Sequence, residues 1–540
     1  MHLVRCAAIE TERFGGERPV KPDGDVMQET AASADGRPEM RRTLWTLLFA
    51  PVDIAFLVAF RITFGALLVA NVVFYFVTGF VEANYVIPRF HFTYLGFEWV
   101  RPWPGVGASL HFVAIAVLAT CVALGLFYRA CSLLLALGFT HLFLIDKAQY
   151  QNHYYLIVIM CWVLAVMPAH RAFSLDVLQR PGLRSAAAPA WALWLLRFQI
   201  GVPYFFGGIA KLDADWLAGA ALRPFLATQT SYPLIGRYFT EEWCVQLFVQ
   251  GGLWFDLLVV PGLLWRRTRV FAYAAAVGFH LMNHTLFHIG IFPWFMIFAT
   301  LVFFPPGWPR RLLRLPAVPA SVFNAGTAGA DLTWSGLSRS RKTGTILLGT
   351  WVAFQAVWPL RYLASGENPN WTERGHFFAW HMMLRGKMCA VRFYVTDPQT
   401  GRTGSIDLRP YLTDVQLKRM TRSPDMVLDF VQFLAGDLRE QGYGDVEIRA
   451  LLLVSLNGRK PQLMIDPHVN LAAERRTFGR PDWIMPLVEP LCAQAWDVPL
   501  PGWERHLDLH LLPDQMREGR IAPRGGDPPG RASYPVDGHD

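Results

Sequence analysis

The sequence predicts a mostly α-helical chain: a polytopic membrane bundle of eight or nine spans followed by a small extracytoplasmic α+β domain. Three observations lead there. Only 17% of the 540 residues are charged and 53% are hydrophobic, whereas soluble chains carry roughly a quarter charged residues. Apolar segments close to membrane-spanning length recur between residues 44 and 360. Beyond 360, apolar and polar residues alternate around turn residues, as in strands with one buried face.

Residues 1–43 are polar and rich in Gly, Pro and Glu, which predicts a disordered cytoplasmic N-terminus and makes the first span the insertion signal. Nine apolar segments follow, at 44–79, 108–127, 130–145, 153–168, 190–210, 243–264, 270–288, 290–304 and 343–360. The third, fourth and eighth fall short of the ~20 residues of a clean span, so eight spans stand beside nine. Orientation follows from cation placement. With the N-terminus inside, the cytoplasmic loops hold Arg171, Arg180, Arg184, Arg266, Arg267, Arg269 and a cluster from Arg310 to Lys342. The opposite loops hold fewer. The bundle thus covers 44–363, with a Pro/Ala/Gly/Ser-rich stretch at 305–342 expected to be a flexible cytoplasmic loop.

"MCAVRFYVTDPQTGRTGSIDL" reads as a hairpin around a Pro/Gly turn, and "VEIRALLLVSLNGRKPQLMID" as another around Asn457-Gly458. "DMVLDFVQFLAGDLREQ" between them has helical spacing. These elements make residues 364–513 an extracytoplasmic α+β domain, and 514–540 a disordered tail. Some classes are excluded. The net charge of +8 is scattered in short loop clusters, unlike the basic, aromatic-interleaved surface of a nucleic-acid binder. Seven cysteines without a CxxC pair or zinc spacing, mostly in apolar runs, argue against a disulfide framework. No internal repeat or pair of broken helices suggests a transporter.

Topology then places several polar groups at one membrane depth, under the soluble domain. The fourth segment starts with Asn152 and His153, and the fifth ends at Lys211 beside Asp213, Asp215 and Trp216. The seventh carries His280, Asn283, His284 and His288, the first three sharing a helical face. Ionisable groups inside spans are costly and mark function. The spacing of His280 and His284 also suits a metal, but no carboxylate on that face and no second HxxxH completes a ligand set. Lys211 has two readings: a lysine reaching the bilayer interface, or a catalytic base. Pro203 and the Gly207-Gly208 pair just before it are expected to loosen the helix where it lines a cavity. Desolvation disfavours an ammonium, the condition under which an amine can act as a base.

"AKLDADWLAG", "DKAQYQNHYYL", "FSLDVL", "FHLMNHTLFHIGIFPWFMI", "PPGWPRRLL", "NPNWTERGHFFAWHMML" and "IDPHVNLAA" resemble, in this order, segments of the vitamin K-dependent γ-glutamyl carboxylase family. The likeness runs from about residue 44 to 495, with an HTTM-type membrane part. It implies that Lys211 is the base that deprotonates reduced vitamin K. It further implies that His153 and Asn152 line the quinone pocket, with His280 and Asn283 as a further pair. His284, His288, Asp213, Asp215, Trp216, Trp380 and His381 join them as pocket candidates from the same motifs. The implied co-substrates are vitamin K hydroquinone, O2 and CO2, with no metal. The implied partners are a glutamate-containing peptide, the lipid bilayer and vitamin K or a menaquinone.

The resemblance is incomplete. Animal members extend beyond this chain's end, so a shorter, bacterial-type form is expected. His381 stands where animal relatives have an acidic residue, and Phe377 and Phe378 lie in a tyrosine-rich stretch. Two alternatives therefore remain: a quinol epoxidase without glutamate carboxylation, and a non-catalytic quinone-binding membrane protein.

Overall fold

The computed structural model describes residues 44–287, 289–324, 333–492 and 495–518. The expected N-terminal disorder, part of the 305–342 loop, most of the tail and His288 lie outside these residues. The described chain belongs to one compact unit.

Among the described residues, the apolar segments contain the helices α1 (Ala55–Val77), α2 (Gly107–Leu124), α3 (Tyr128–Ile145), α4 (Asn152–Val166), α5 (Ala190–Ala210), α6 (Glu242–Leu264), α7 (Arg269–Phe287), α8 (Phe292–Ala299) and α9 (Arg339–Val357). Five of them, α1, α2, α3, α5 and α6, are long and apolar enough to cross a membrane. The chain is a membrane protein by that measure. α4 is shorter but nearly all core, with Leu156 to Cys161 and Val163 to Leu164 buried. Helices α1 to α4 pack in sequence order, α6 packs on both α5 and α7, and one apolar core runs through both groups.

The glycine pair of α5 has a different use from the one expected. The helix stays regular to Ala210. A Cβ on Gly208 would stand 2.6 Å from the Leu257 side chain, and one on Gly207 would stand 3.2 Å from an Asp256 oxygen. Small residues let two helices approach closely, and here they bring the middle of α6 against the end of α5. Part of the segment expected to be a flexible loop is ordered as well. Trp308–Leu312 forms a helical turn whose Arg310 pairs with Asp53 at 3.0 Å.

The C-terminal part holds a four-stranded antiparallel sheet of β1 (Lys387–Thr396), β2 (Thr403–Ser405), β3 (Glu447–Leu456) and β4 (Gln462–Leu463), in the order β2-β1-β3-β4. Helix α10 (Asp414–Met420) opens with a full capping box on Thr413 and Gln416. Helix α11 (Pro424–Glu440) packs its apolar face, including Val427, Phe430, Val431 and Leu434, against β1 and β3. Both expected hairpins form, with positive φ at Asn457 and Gly458 as a tight two-residue turn requires. The hairpins pair with each other, Lys387 opposite Leu456 and Thr396 opposite Glu447. That long-range pairing had no local signal.

Two polar clamps hold this sheet domain to the helices. Lys147 and Arg476 both bind Asp425, and Arg476 also reaches Asp429 and Thr93. At the second clamp, Arg459 and Asn457 from the β3–β4 turn grip Asp215.

Candidate functional site

Between the upper ends of α4 to α8 and the sheet domain lies a cavity of about 550 Å³. Its wall includes Asn152, His153, Lys211, Trp216, His280, Asn283 and His381. Residues expected together from four separate sequence segments thus share one space.

Lys211 follows α5 directly, and its side chain is 6% exposed. Its ammonium donates to Asp256 Oδ2 at 2.5 Å, lies 3.5 Å from the Gly207 carbonyl and stands 5.1 Å from the Trp216 ring centre. Asp256 lies mid-way along apolar α6, is 3% exposed and also lines the cavity. It was not singled out from sequence, although a carboxylate within "LWFDLLVV" is a signal in itself. Lys211 is therefore not a lone lysine extending to the bilayer surface.

The histidines are held by neighbours. His280 Nε2 and the Tyr204 hydroxyl are 2.5 Å apart, while His280 Nδ1 has no hydrogen-bond partner. His153 stacks on Phe292 with ring centres 5.3 Å apart. Asn152 donates to the His381 carbonyl at 2.7 Å and accepts from the Tyr150 hydroxyl at 3.0 Å, which ties the start of α4 to the segment that closes the cavity.

That closing segment is strained. Glu373, Phe378, Trp380 and Met383 all have φ near +60°, a region that costs non-glycine residues about 1–3 kcal/mol each and clusters at functional sites. It carries a charged cluster that sequence reasoning missed. Buried Glu373 accepts from Arg385 at 2.5 Å and from Lys387 at 2.6 Å. Burial opposes its charge, yet the two cations outweigh burial and hold the carboxyl well below the usual range. Burial draws the Lys387 amine down to about 8 against the pull of Glu373. Glu373, Arg385, Arg419, Arg422 and Lys147 line the same cavity as Phe248, Phe279 and Phe292, so charged and aromatic groups share its wall.

His376 and His381 sit within this cluster. Burial and then Arg385 push both below the usual imidazole range, His381 to about 4. Neither ring nitrogen of His381 has a protein partner. The folded state thus keeps His381 neutral where the unfolded chain, with an ordinary value near 6.5, takes up a proton. Its contribution is neutral above pH 6.5 and turns destabilising as pH falls toward 4. Between pH 7 and 5 this amounts to about 2 kcal/mol. Thermal unfolding of His381→Gln should therefore show a smaller loss of stability over this interval than the original protein. Parallel pH curves would count against a buried neutral imidazole.

Other candidates stand outside the wall. Asp213 caps the turn Ala214–Leu217, accepting from the backbone of Asp215 and Trp216. Asp215 faces away from Lys211, toward Arg459. His284 packs edge-on against Trp294, and Trp380 is 1% exposed against Tyr155. His280 and Asn283 line the cavity, while His284, on the same helical face one turn after His280, is taken up by Trp294 of α8. Among the described residues, no group of three or more His, Cys, Asp or Glu is placed to hold a metal.

Two family descriptions match the chain in succession: the HTTM domain over residues 49–308, and the lumenal domain of vitamin K-dependent gamma-carboxylase over residues 340–490. The chain belongs to the vitamin K-dependent gamma-glutamyl carboxylase family. No solved structure matches it. The HTTM match contains Asn152, His153, Lys211, Asp256 and His280. The second match of this carboxylase-family chain contains the strained segment 373–383 and the Arg459 clamp. The cavity lies where the two matched regions meet.

Proposed function

We propose that this chain is an integral membrane enzyme that couples epoxidation of vitamin K hydroquinone by O2 to addition of CO2 at the γ-carbon of a glutamate residue. The observation that carries this reading is a buried lysine in a cavity lined by both aromatic rings and arginines. A prenylated quinol and a glutamate carboxylate call for these two kinds of lining.

The lining suits the quinol. Phe279 and Phe292 offer faces for a fused ring, while His153, Asn283 and Lys211 offer polar atoms for its two oxygens. When bound, the quinol and O2 together supply a base strong enough to take a glutamate γ-proton, with the quinone 2,3-epoxide as the product. The protein's residues prepare for this. Lys211 Nζ accepts the quinol hydroxyl proton, and His153 with Asn152 orients the ring. Arg385, Arg419 and Arg422 hold the substrate carboxylate. The buried walls keep water from quenching the base. In this reading the sheet domain is extracytoplasmic and the N-terminus cytoplasmic. The lumenal-domain match and the excess of Lys and Arg in alternate loops support that orientation.

Purified protein in nanodiscs, given vitamin K hydroquinone, O2, labelled bicarbonate and a short glutamate peptide, should form epoxide and labelled peptide together. Epoxide without label would reduce the function to quinol epoxidation. Bound quinone with neither product would make the chain a quinone-binding protein. His153→Ala should lower quinol turnover without changing peptide affinity, and a defect confined to peptide affinity would remove His153 from the quinol site.

A further inference from the structure

Asp256 needs an explanation that the base reading alone does not provide. A buried ion pair is ordinarily stabilised by further hydrogen bonds to its charged atoms. Among the described residues, the Asp256 carboxylate has one hydrogen bond, from Lys211 Nζ at 2.5 Å. Its side chain is 3% exposed, and the helix is apolar on both sides of it. Such surroundings suit a neutral carboxylic acid better than a carboxylate. The approach is also built in. A Cβ at Gly207 would meet Met382 Cε at 2.8 Å and Oδ2 at 3.2 Å, so glycine there gives the pair its space.

We propose that Asp256 is the proton-holding partner of Lys211, so that the two form one unit with a single shared proton; this rests on Lys211 being the base. In the ion-paired form the proton is on Nζ. Moving it to Oδ2 breaks one N–H bond, forms one O–H bond and leaves a neutral amine beside a neutral acid. The amine then accepts the quinol hydroxyl proton. That O–H bond breaks with its electron pair staying on oxygen, and the third N–H bond forms again. The new positive and negative charges arise side by side while Asp256 stays protonated, so the cavity's net charge does not change. The water that epoxidation releases takes the second quinol hydrogen and the glutamate γ-proton, so the extra proton leaves the pair for solvent as product departs, and the pair resets. Asp256 is in these terms a positioning residue: it touches the base, and the base touches the quinol.

The decisive measurement needs no turnover. Vitamin K hydroquinone is added without O2 or peptide to the full-length protein in nanodiscs, and the infrared difference spectrum is recorded. A protonated-carboxyl band that shifts in heavy water should appear, and it should be absent from Asp256→Asn. In the epoxide assay, Asp256→Asn should lose at least ~10²-fold in kcat with little change in KM for quinol, and Asp256→Glu should recover part of it. No carboxyl band in the original protein would overturn the proposal, whether or not the variant folds. So would a near-normal rate in Asp256→Asn while Lys211→Ala is inactive. A normal rate in Lys211→Ala would instead bring down the base reading, and this proposal with it.

Discussion

Replacing Lys211 by alanine should lower epoxide formation by at least ~10²-fold, the low end of what a positioned general base contributes, and abolish labelled peptide with it. Quinone binding should survive, because the aromatic lining of the cavity is untouched. The substitution also strands Asp256, which is 3% exposed and has no other hydrogen bond among the described residues. Breaking one side of a buried pair costs about 3–5 kcal/mol, although Asp256 can relieve part of this by taking up a proton. Lys211→Ala combined with Asp256→Ala should therefore be more stable than Lys211→Ala alone and equally inactive. The paired measurement separates lost chemistry from lost folding. Epoxide forming at the original rate in the single variant would end the assignment of Lys211.

The second large effect is expected at the clamp between the sheet domain and the turn after Lys211. Asp215 accepts from Arg459 at 2.6 and 2.7 Å and from Asn457 at 2.8 Å, with both ionic side chains 9% exposed. Burial works against the charge on Asp215, but the Arg459 and Asn457 hydrogen bonds outweigh it and hold the carboxyl below its ordinary value. The clamp's contribution is therefore present above the unfolded value near 3.9 and is lost as pH falls below it. Arg459→Ala leaves Asp215 buried with one donor, and should cost about 3 kcal/mol. Arg459→Lys should restore only part of this, since an ammonium cannot match the two-pronged guanidinium geometry. Thermal unfolding in nanodiscs would read both. An unchanged unfolding temperature for Arg459→Ala would mean that the clamp holds nothing.

Much of the site was legible because its residues break a local pattern. Asn152, His153, Lys211, His280 and Asn283 are polar groups in apolar segments, and topology alone brought them to one depth. Asp256 breaks the pattern equally, but it became meaningful only opposite Lys211. The arginines of the cavity wall were harder to foresee. Arg385, Arg419 and Arg422 come from a loop, a helix and a helix end in a polar domain, where arginine is ordinary. Asp213 and Asp215, adjacent to Lys211 in the chain, were misleading neighbours, because the turn at Ala214–Leu217 rotates them away from it.

The sequence by itself determined what local periodicity and composition can encode: the apolar helices, the Asn457-Gly458 turn, helix α11 and the depth at which the polar groups gather. Only the tertiary structure decided which faces meet. It paired β1 with β3 across the domain, set the middle of α6 against the end of α5 through Gly207 and Gly208, and so placed Asp256 2.5 Å from Lys211. The reason is physical. A side chain's period along the chain reports which face it lies on, but its partner is chosen by close packing between elements, and partners 45 residues apart, as these two are, leave no trace in either local pattern.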